Sequence, residues 1–456
     1  MTTDNSSKKM SGKIGWWGVA ASAIGLVVAS TTFAGDFNGY GTAGVGYILV
    51  LLFGFVVNLF VMLAYAELAT MFPKAGQIYE YTKQGFENHK TAIFLATGVG
   101  TAYWLIFGLV FAAEVSAGAH AIHDTLGGTG SVMFWVIVIN LVAILFNMRG
   151  LKTAVIAETI LVITMVSIRV FMGLASFSGL SQAGSWSVAI FTDPLTFGLA
   201  GVYSAITLGV WAFIGLEFAT PLVEEVRNPQ KNIPKGMTAG ILIILFMALT
   251  MGIGIIGTVS PVAYNEAYLG NAPQIVIAGI LFGTTGEVLA GIASFAATLG
   301  GVNVAYAAIP RVLYAMSREG LWPEFLSWKH PEYDSPWVAI WATAVIFITP
   351  VFISSQVVAL INAATAVWLL SYVWVLLLVL KLRHTHPEIE RPIRTNVLVY
   401  GAGLVLILFT LWKAYQGAYN IVLIAIGIFA VGHLYSGAWI KLTGDPSAKG
   451  ISEAAD

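Results

Sequence analysis

Two acidic residues lie at interruptions in long apolar stretches of the chain. Asp36 stands in residues 30–44, STTFAGDFNGYGTAG, between apolar runs at 15–29 and 45–66. Glu217 lies within GVYSAITLGVWAFIGLEFATPLVEEV, close to a glycine and a proline. A carboxylate inside a bilayer costs roughly 2.5–3.5 kcal/mol on insertion scales, so we expect Asp36 to bind an ammonium group or carry a proton, and Glu217 to carry a proton. Structural alternatives stay open for both. Asp36 could cap a half-helix or face a water-filled vestibule, and Glu217 could anchor two helices by hydrogen bonds.

Aromatic residues in the apolar stretches could hold a cation over a ring face or close a gate. Trp211 and Phe213 flank the second interruption, and Tyr103 and Trp104 lie in a different apolar run. Trp368 has an aromatic neighbour four residues later, which places both on one helix face. Aromatic residues also mark membrane interfaces and fill protein cores, so the sequence leaves these alternatives open.

The composition predicts an all-α integral membrane protein. Hydrophobic residues make up 58% of the 456 residues and charged residues only 10%, against about 25% charged in soluble domains. Helices that span a membrane need about 20 apolar residues. Twelve such runs are present, at 15–34, 44–70, 91–118, 131–148, 153–175, 198–221, 237–259, 285–309, 336–355, 357–380, 396–414 and 418–440.

Several classes of site are disfavoured by the sequence. Cysteine is absent, which excludes disulfides and thiolate metal sites. The sequence offers no convincing nucleophile–base pair, phosphate-binding loop or basic nucleic-acid patch. We therefore expect no enzyme activity, no metal, no cofactor and no nucleic-acid partner.

The distribution of basic residues predicts the topology. Of the 22 Lys and Arg residues, 20 fall in the two termini and in alternate loops. The positive-inside rule then places both termini in the cytoplasm. We expect a multi-pass protein of the plasma membrane, or of the inner membrane in a bacterium, in contact with lipid. Only Arg169 and Lys413 fall elsewhere.

The two interruptions occur in spans 1 and 6, which run in opposite directions. Such a pair is typical of inverted repeats, in which discontinuous helices expose backbone groups near the membrane centre. Glycines in residues 30–44 are expected to let the first helix open. The predicted organisation is a cytoplasmic tail at 1–14, a first five-helix repeat at 15–175, a second, inverted repeat at 198–380, two further helices at 396–440, and a cytoplasmic tail at 441–456.

Three sequence stretches support a family assignment. They are YAELATMFPKAGQIY at 65–79, FIGLEFATPLVEEVRNPQKNIP at 213–234 and RVLYAMSREGLWPEFLSWKHPEYDSP at 311–336. In sequence and order they resemble the amino acid–polyamine–organocation permeases. The resemblance implies the LeuT-like fold and alternating access around a central site between helices 1, 3, 6, 8 and 10.

The resemblance also implies where substrate would bind. The family's helix-1 break binds a substrate carboxylate through backbone N–H groups, and its counterpart here is Ala29, Ser30, Thr31, Thr32 and Phe33. The flanking glycines of the family pattern are missing, so the hydroxyl groups could share the role or no carboxylate is bound. On span 6 the resemblance adds Ile214 and Gly215 to the candidate site, next to the aromatic pair. Glu217 resembles a glutamate that gates the site in some members, and we expect gating or proton coupling there and at Asp36, Arg169 and Trp368.

The coupling ion is not decided by the sequence. Many relatives carry a lysine in span 5 that replaces a sodium ion, but Met165 stands at the expected position. Arg169, one turn later, either serves coupling or extends to the outer interface by snorkelling. Glu114, in the outer part of span 3 near His120, suggests either a pH sensor or a solvated loop.

We therefore expect a secondary active transporter that takes up an amino acid, with protons as the driving ion. The alternatives are an exchanger or a carrier of a decarboxylated amine such as ethanolamine or a polyamine. The step GDF at 35–37 resembles one in ethanolamine permeases and favours the amine.

Overall fold

The computed structural model describes residues 14–74, 76–149, 151–352, 356–417 and 419–443. Regular structure in these residues is helical, and a lone β-bridge pairs Ile14 with Val226. The helices are α1 (Trp16–Val27), α2 (Ser30–Ala43), α3 (Tyr47–Met71), α4 (Gln77–Gln84), α5 (His89–Thr125), α6 (Val132–Met148), α7 (Leu151–Phe177), α8 (Gly198–Ser204), α9 (Ile206–Trp211), α10 (Pro229–Ile256), α11 (Asn265–Tyr268), α12 (Pro273–Arg318), α13 (Trp337–Ile348), α14 (Val357–Thr385), α15 (Val397–Gly417) and α16 (Tyr419–Thr443). The predicted tails lie mostly outside the described residues, at 1–13 and 444–456.

Nine helical stretches of the described chain are long and apolar enough to cross a membrane. Three shorter apolar helical stretches accompany them, at Trp16–Val27, Val132–Met148 and Trp337–Phe352. Together they overlap the twelve apolar runs of the sequence. The all-helical membrane class is therefore supported, while the count of twelve crossings and the inverted repeat stay predictions.

The first break does not lie at the glycines, where their conformational freedom predicted it, but at the start of residues 29–33, which the family resemblance indicated. The chain leaves the helical conformation at Val28 and Ala29, and the glycine-rich stretch that follows forms α2. Glycine instead serves packing there. A Cβ atom on Gly39 would lie only 2.2 Å from the ring of Tyr47, so the ring can lie against α2 only because that side chain is absent.

The second break lies between α9 and a 3₁₀ helix at Leu216–Glu225. Gly215 has a φ of +118°, a conformation that side chains with a Cβ atom adopt only with strain. This residue allows the chain to turn from α9 into the 3₁₀ helix without a steric clash, and Glu217 follows in the first turn of that helix.

Pairs of glycines allow helix backbones to approach closely. A Cβ atom on Gly54 of α3 would lie 1.9 Å from the carbonyl oxygen of Gly209 in α9, and one on Gly254 of α10 would lie 2.1 Å from that of Gly173 in α7. Small residues at such crossings are typical of membrane helices, where close packing replaces the hydrophobic driving force. The first of these contacts holds α9, which leads into the second break, against the continuous helix α3.

Candidate functional site

The two helix breaks contact each other in the middle of the bundle. The indole Nε1 of Trp211, at the end of α9, donates a hydrogen bond of 3.2 Å to the hydroxyl of Thr31, in the first turn of α2. A cavity of about 20 Å³ lies between them, which is the size of about one water molecule. Its lining comes from both breaks and from α5 and α14: Leu26, Ala29, Thr31, Val110, Phe111, Glu114, Trp211, Ile214 and Trp368.

A carboxylate from α5 caps the helix that starts at the first break. Glu114 accepts the backbone N–H of Ser30 at 2.7 Å and that of Thr31 at 3.0 Å, and the Thr31 hydroxyl donates to it at 2.8 Å. The first amides of a helix have no intrahelical partner, and the helix dipole there favours a negative charge. Glu114 therefore holds the N-terminal end of α2.

The solvated-loop interpretation of Glu114 is wrong, because this side chain is only 2% exposed. The sequence did contain a signal. Tyr103, Phe107, Phe111 and Glu114 recur at helical spacing, so they share one face of α5. This spacing places Glu114 on the face of α5 that lies against the break.

Arg169 of α7 lies at the same break. Its Nη2 donates a 2.9 Å hydrogen bond to the carbonyl of Ala29, and its guanidinium lies 4.1 Å above the ring of Phe33. The side chain is fully buried, so the snorkelling alternative is wrong. Asp36 and Glu114 both attract it electrostatically. Its Nε and Nη1 atoms are buried without a hydrogen-bond partner.

Side chains from three helices satisfy the backbone of this break. Glu114 and Arg169 bind amides and a carbonyl, as described, and the hydroxyl of Thr32 donates to the carbonyl of Val27 at the end of α1. Irregular backbone in a membrane requires partners of this kind. The break is thus held by charged and hydroxyl groups rather than by regular helical hydrogen bonds.

Asp36 lies in the second turn of α2, on a buried surface near Arg169. It accepts a 3.3 Å hydrogen bond from the hydroxyl of Tyr47, and its Oδ2 atom is buried without a partner. Because α2 begins at Ser30, Asp36 does not cap the half-helix. At 1% exposure it does not face an open vestibule in this conformation either.

Glu217 joins the second break to α14. The indole of Trp368 donates to one oxygen of the carboxylate at 2.7 Å, and the hydroxyl of Tyr372 donates to the other at 2.8 Å. The same hydroxyl accepts the Gly215 amide at 3.4 Å. Both carboxylate oxygens are therefore bound, and Trp368 packs against Trp211 with ring centres 6.5 Å apart.

The remaining aromatic candidates divide between the site and its surroundings. Tyr103 lies against the ring of Trp368. Trp104 points away, because its indole donates to the hydroxyl of Thr343 on α13. Phe213 packs against Phe55 of α3, although its neighbour Ile214 lines the cavity.

A larger cavity, of about 550 Å³, lies at the Lys- and Arg-rich end of the bundle. Its lining includes Glu224, Glu225 and Arg311. Glu67, from the same family motifs, lies elsewhere. It accepts hydrogen bonds from Arg383 and from the hydroxyl of Tyr400, and it links α3, α14 and α15. Among the described residues, no group of three His, Asp or Glu side chains is placed to hold a metal ion.

Comparison with known proteins agrees with this architecture. A family model described as amino acid permease matches residues 14–436. The branched-chain amino acid permease BcaP of Bacillus subtilis (strain 168) is 26% identical, with 85% of this chain and 84% of that protein aligned. The serine/threonine exchanger SteT of the same organism is 26% identical over 74% of this chain and 75% of its own length. The methylthioribose transporter of that organism is 22% identical over 86% of both chains.

Proposed function

Because this chain belongs to the amino acid permease family, and is therefore a transporter rather than an enzyme, we propose that it takes up an amino acid by alternating access. The observation that carries the proposal is the direct contact between the two helix breaks, from Trp211 to Thr31. Discontinuous helices at one central point are the usual substrate site of transporters of this kind. The relatives named for amino acids support this substrate class.

The proposed topology has twelve crossings with both termini in the cytoplasm. The repeats at 15–175 and 198–380 would each begin with a discontinuous helix, and the helices at 396–440 would lie outside them. In this arrangement the cavity at the Lys- and Arg-rich end belongs to the cytoplasmic pathway. The small cavity beside Thr31 and Trp211 marks the closed central site.

Protons are the proposed driving ion. Arg169 binds the Ala29 carbonyl, a backbone position at which a coupling cation would otherwise bind, so a fixed positive charge replaces a metal ion there. Glu217 ties the second break to α14 through Trp368 and Tyr372. A change in its protonation would weaken both hydrogen bonds and release the break.

A decarboxylated amine is the second candidate substrate. The observation that favours it is Glu114, which already occupies the amides of Ser30 and Thr31. A substrate without a carboxylate could bind while Glu114 stays in place. Asp36, with one oxygen unpartnered, would then attract the ammonium.

A thermal-shift panel on purified protein separates the two candidates. Stabilisation grows with ligand saturation of the folded state, so amino acids can be ranked against their decarboxylated counterparts on one plate. Stabilisation by amino acids and not by the amines supports the proposal. Stabilisation by amines alone contradicts it. Uptake into proteoliposomes with and without an inward proton gradient then tests the coupling: unchanged initial rates would exclude proton drive.

A further inference from the structure

The amides at the start of α2 are occupied by the protein's own carboxylate. Ser30 and Thr31 both donate to Glu114, and the adjoining cavity has room for about one water molecule. A second carboxylate cannot reach these amides while Glu114 holds them. An amino acid that binds through its carboxylate must therefore displace this side chain.

Unpartnered donors beside the break indicate that it can hold an anion other than Glu114. Arg169 is fully buried, and its Nε and Nη1 atoms have no hydrogen-bond partner. The hydroxyl of Ser30 is also buried and unpartnered. Leaving such groups unpaired is costly, and a bound carboxylate would satisfy several of them together.

We propose that Glu114 is an internal competitor of the substrate carboxylate. It caps α2 when the site is empty and leaves the Ser30 and Thr31 amides when an amino acid binds. This inference rests on the proposed function, since it requires a substrate with a carboxylate. It assigns Glu114 a role in specificity.

The charges around the break leave room for one carboxylate at the amides. Arg169 on α7 is attracted by Glu114 and by Asp36 of α2. Glu158 of α7 lies beside Gly300, whose neighbour Gly301 lies against the Glu114 side chain. Two carboxylates at the amides would repel each other with only one guanidinium nearby. Glu114 therefore leaves the amides as the substrate carboxylate takes its place.

The Glu114→Gln substitution tests this competition. Glutamine resembles the protonated acid and is a weaker cap, because hydrogen bonds to a charged acceptor are stronger. We expect the affinity for the amino acid that best stabilises the wild type to rise about tenfold at pH 7.5, equivalent to about 1.4 kcal/mol. Glu287→Gln, an exposed glutamate on α12, is the matched control and should behave as wild type.

A second variant, Glu114→Asp, serves if E114Q does not fold. Its carboxylate is one methylene shorter and should hold the α2 amides less well, so amino acid affinity should rise while the affinity for the matching amine stays unchanged. Unchanged or weaker amino acid binding by the variant that folds would overturn the competition and leave the proposed function intact. If no amino acid binds either protein at any pH, the proposed function fails, and the competition fails with it.

Discussion

The removal of the buried arginine at the first break is the sharpest test of the site. In Arg169→Met, the Ala29 carbonyl loses a charge-assisted hydrogen bond and Phe33 loses its cation contact. The substitution also leaves Asp36 and Glu114 without their shared positive charge. Leaving a buried charge without its compensating opposite charge costs about 3–5 kcal/mol. The hydrogen bond, about 1.5–3 kcal/mol, is part of that loss and is not added to it. We expect a free energy of unfolding lower by about 3–5 kcal/mol and no measurable uptake.

Lys413 provides the matched control, as the other basic residue within a predicted span. It lies over Trp412 and donates to Gln416, at a partly exposed position on α15. Lys413→Met should change stability by less than about 0.5 kcal/mol, as is usual at surfaces. Equilibrium unfolding in detergent micelles, followed by tryptophan fluorescence, measures both variants. If Arg169→Met were as mild as Lys413→Met, the guanidinium would not lie at the break. The double variant with Asp36→Asn should recover part of the loss, because Asp36 attracts the guanidinium electrostatically and the two substitutions are therefore coupled.

Three further predictions concern the backbone and the polar contacts. Gly215→Ala should lower the free energy of unfolding by at least about 1–2 kcal/mol, because the residue has a positive φ. The control is Gly427→Ala, whose Cβ atom would meet nothing within 4 Å. Equal stabilities of the two variants would refute a strained break. Glu67→Gln should cost about 3–5 kcal/mol, since it uncharges a fully buried acid that binds two arginines. Its control is Asp334→Asn, in an exposed ion pair, which should lower stability by less than about 1 kcal/mol. Equal losses of stability in the Glu67 and Asp334 variants would contradict the greater strength assigned to the buried contacts. Trp211→Phe should weaken substrate binding about two- to tenfold by removing one hydrogen bond, and a titration with unchanged affinity would place that contact outside the site.

The sequence identified which residues could carry charge in the membrane, but it did not show in which direction around the helix axis their side chains point. Arg169 was recognisable as a basic residue in an apolar span, and Glu158 lies eleven residues earlier on the same face of α7. Two charged residues on one face do not show whether that face points inward. Counting residues gives only its depth along the helix axis. At that depth an arginine can either reach the interface or turn inward, and only the packing against α1 and α2 distinguishes the two.

The position of the first break shows a different limit of sequence reasoning. Glycine is the residue that most readily permits irregular backbone, so the residue types alone favoured residues 35–44, whereas the family resemblance pointed to residues 29–33. The break lies at Val28 and Ala29, which have no special conformational freedom. Hydrogen-bond partners from distant parts of the chain, such as Glu114 some 84 residues away, stabilise the irregular backbone there. Such long-range partners have no local signature.

This dependence on side chains has a consequence for how the break could move. Regular helical hydrogen bonds are broken only by unfolding a turn, but the bonds at this break end on Glu114, Arg169 and the Thr32 hydroxyl. Each can be exchanged by rotating one side chain or shifting α5 or α7 slightly. In the proposed competition, the angle between α1 and α2 then depends on which carboxylate holds the α2 amides. An amino acid that replaces Glu114 would bind to α2 without the link to α5, and α2 would be free to tilt with its substrate. In this way binding at the break and opening of the site become one event.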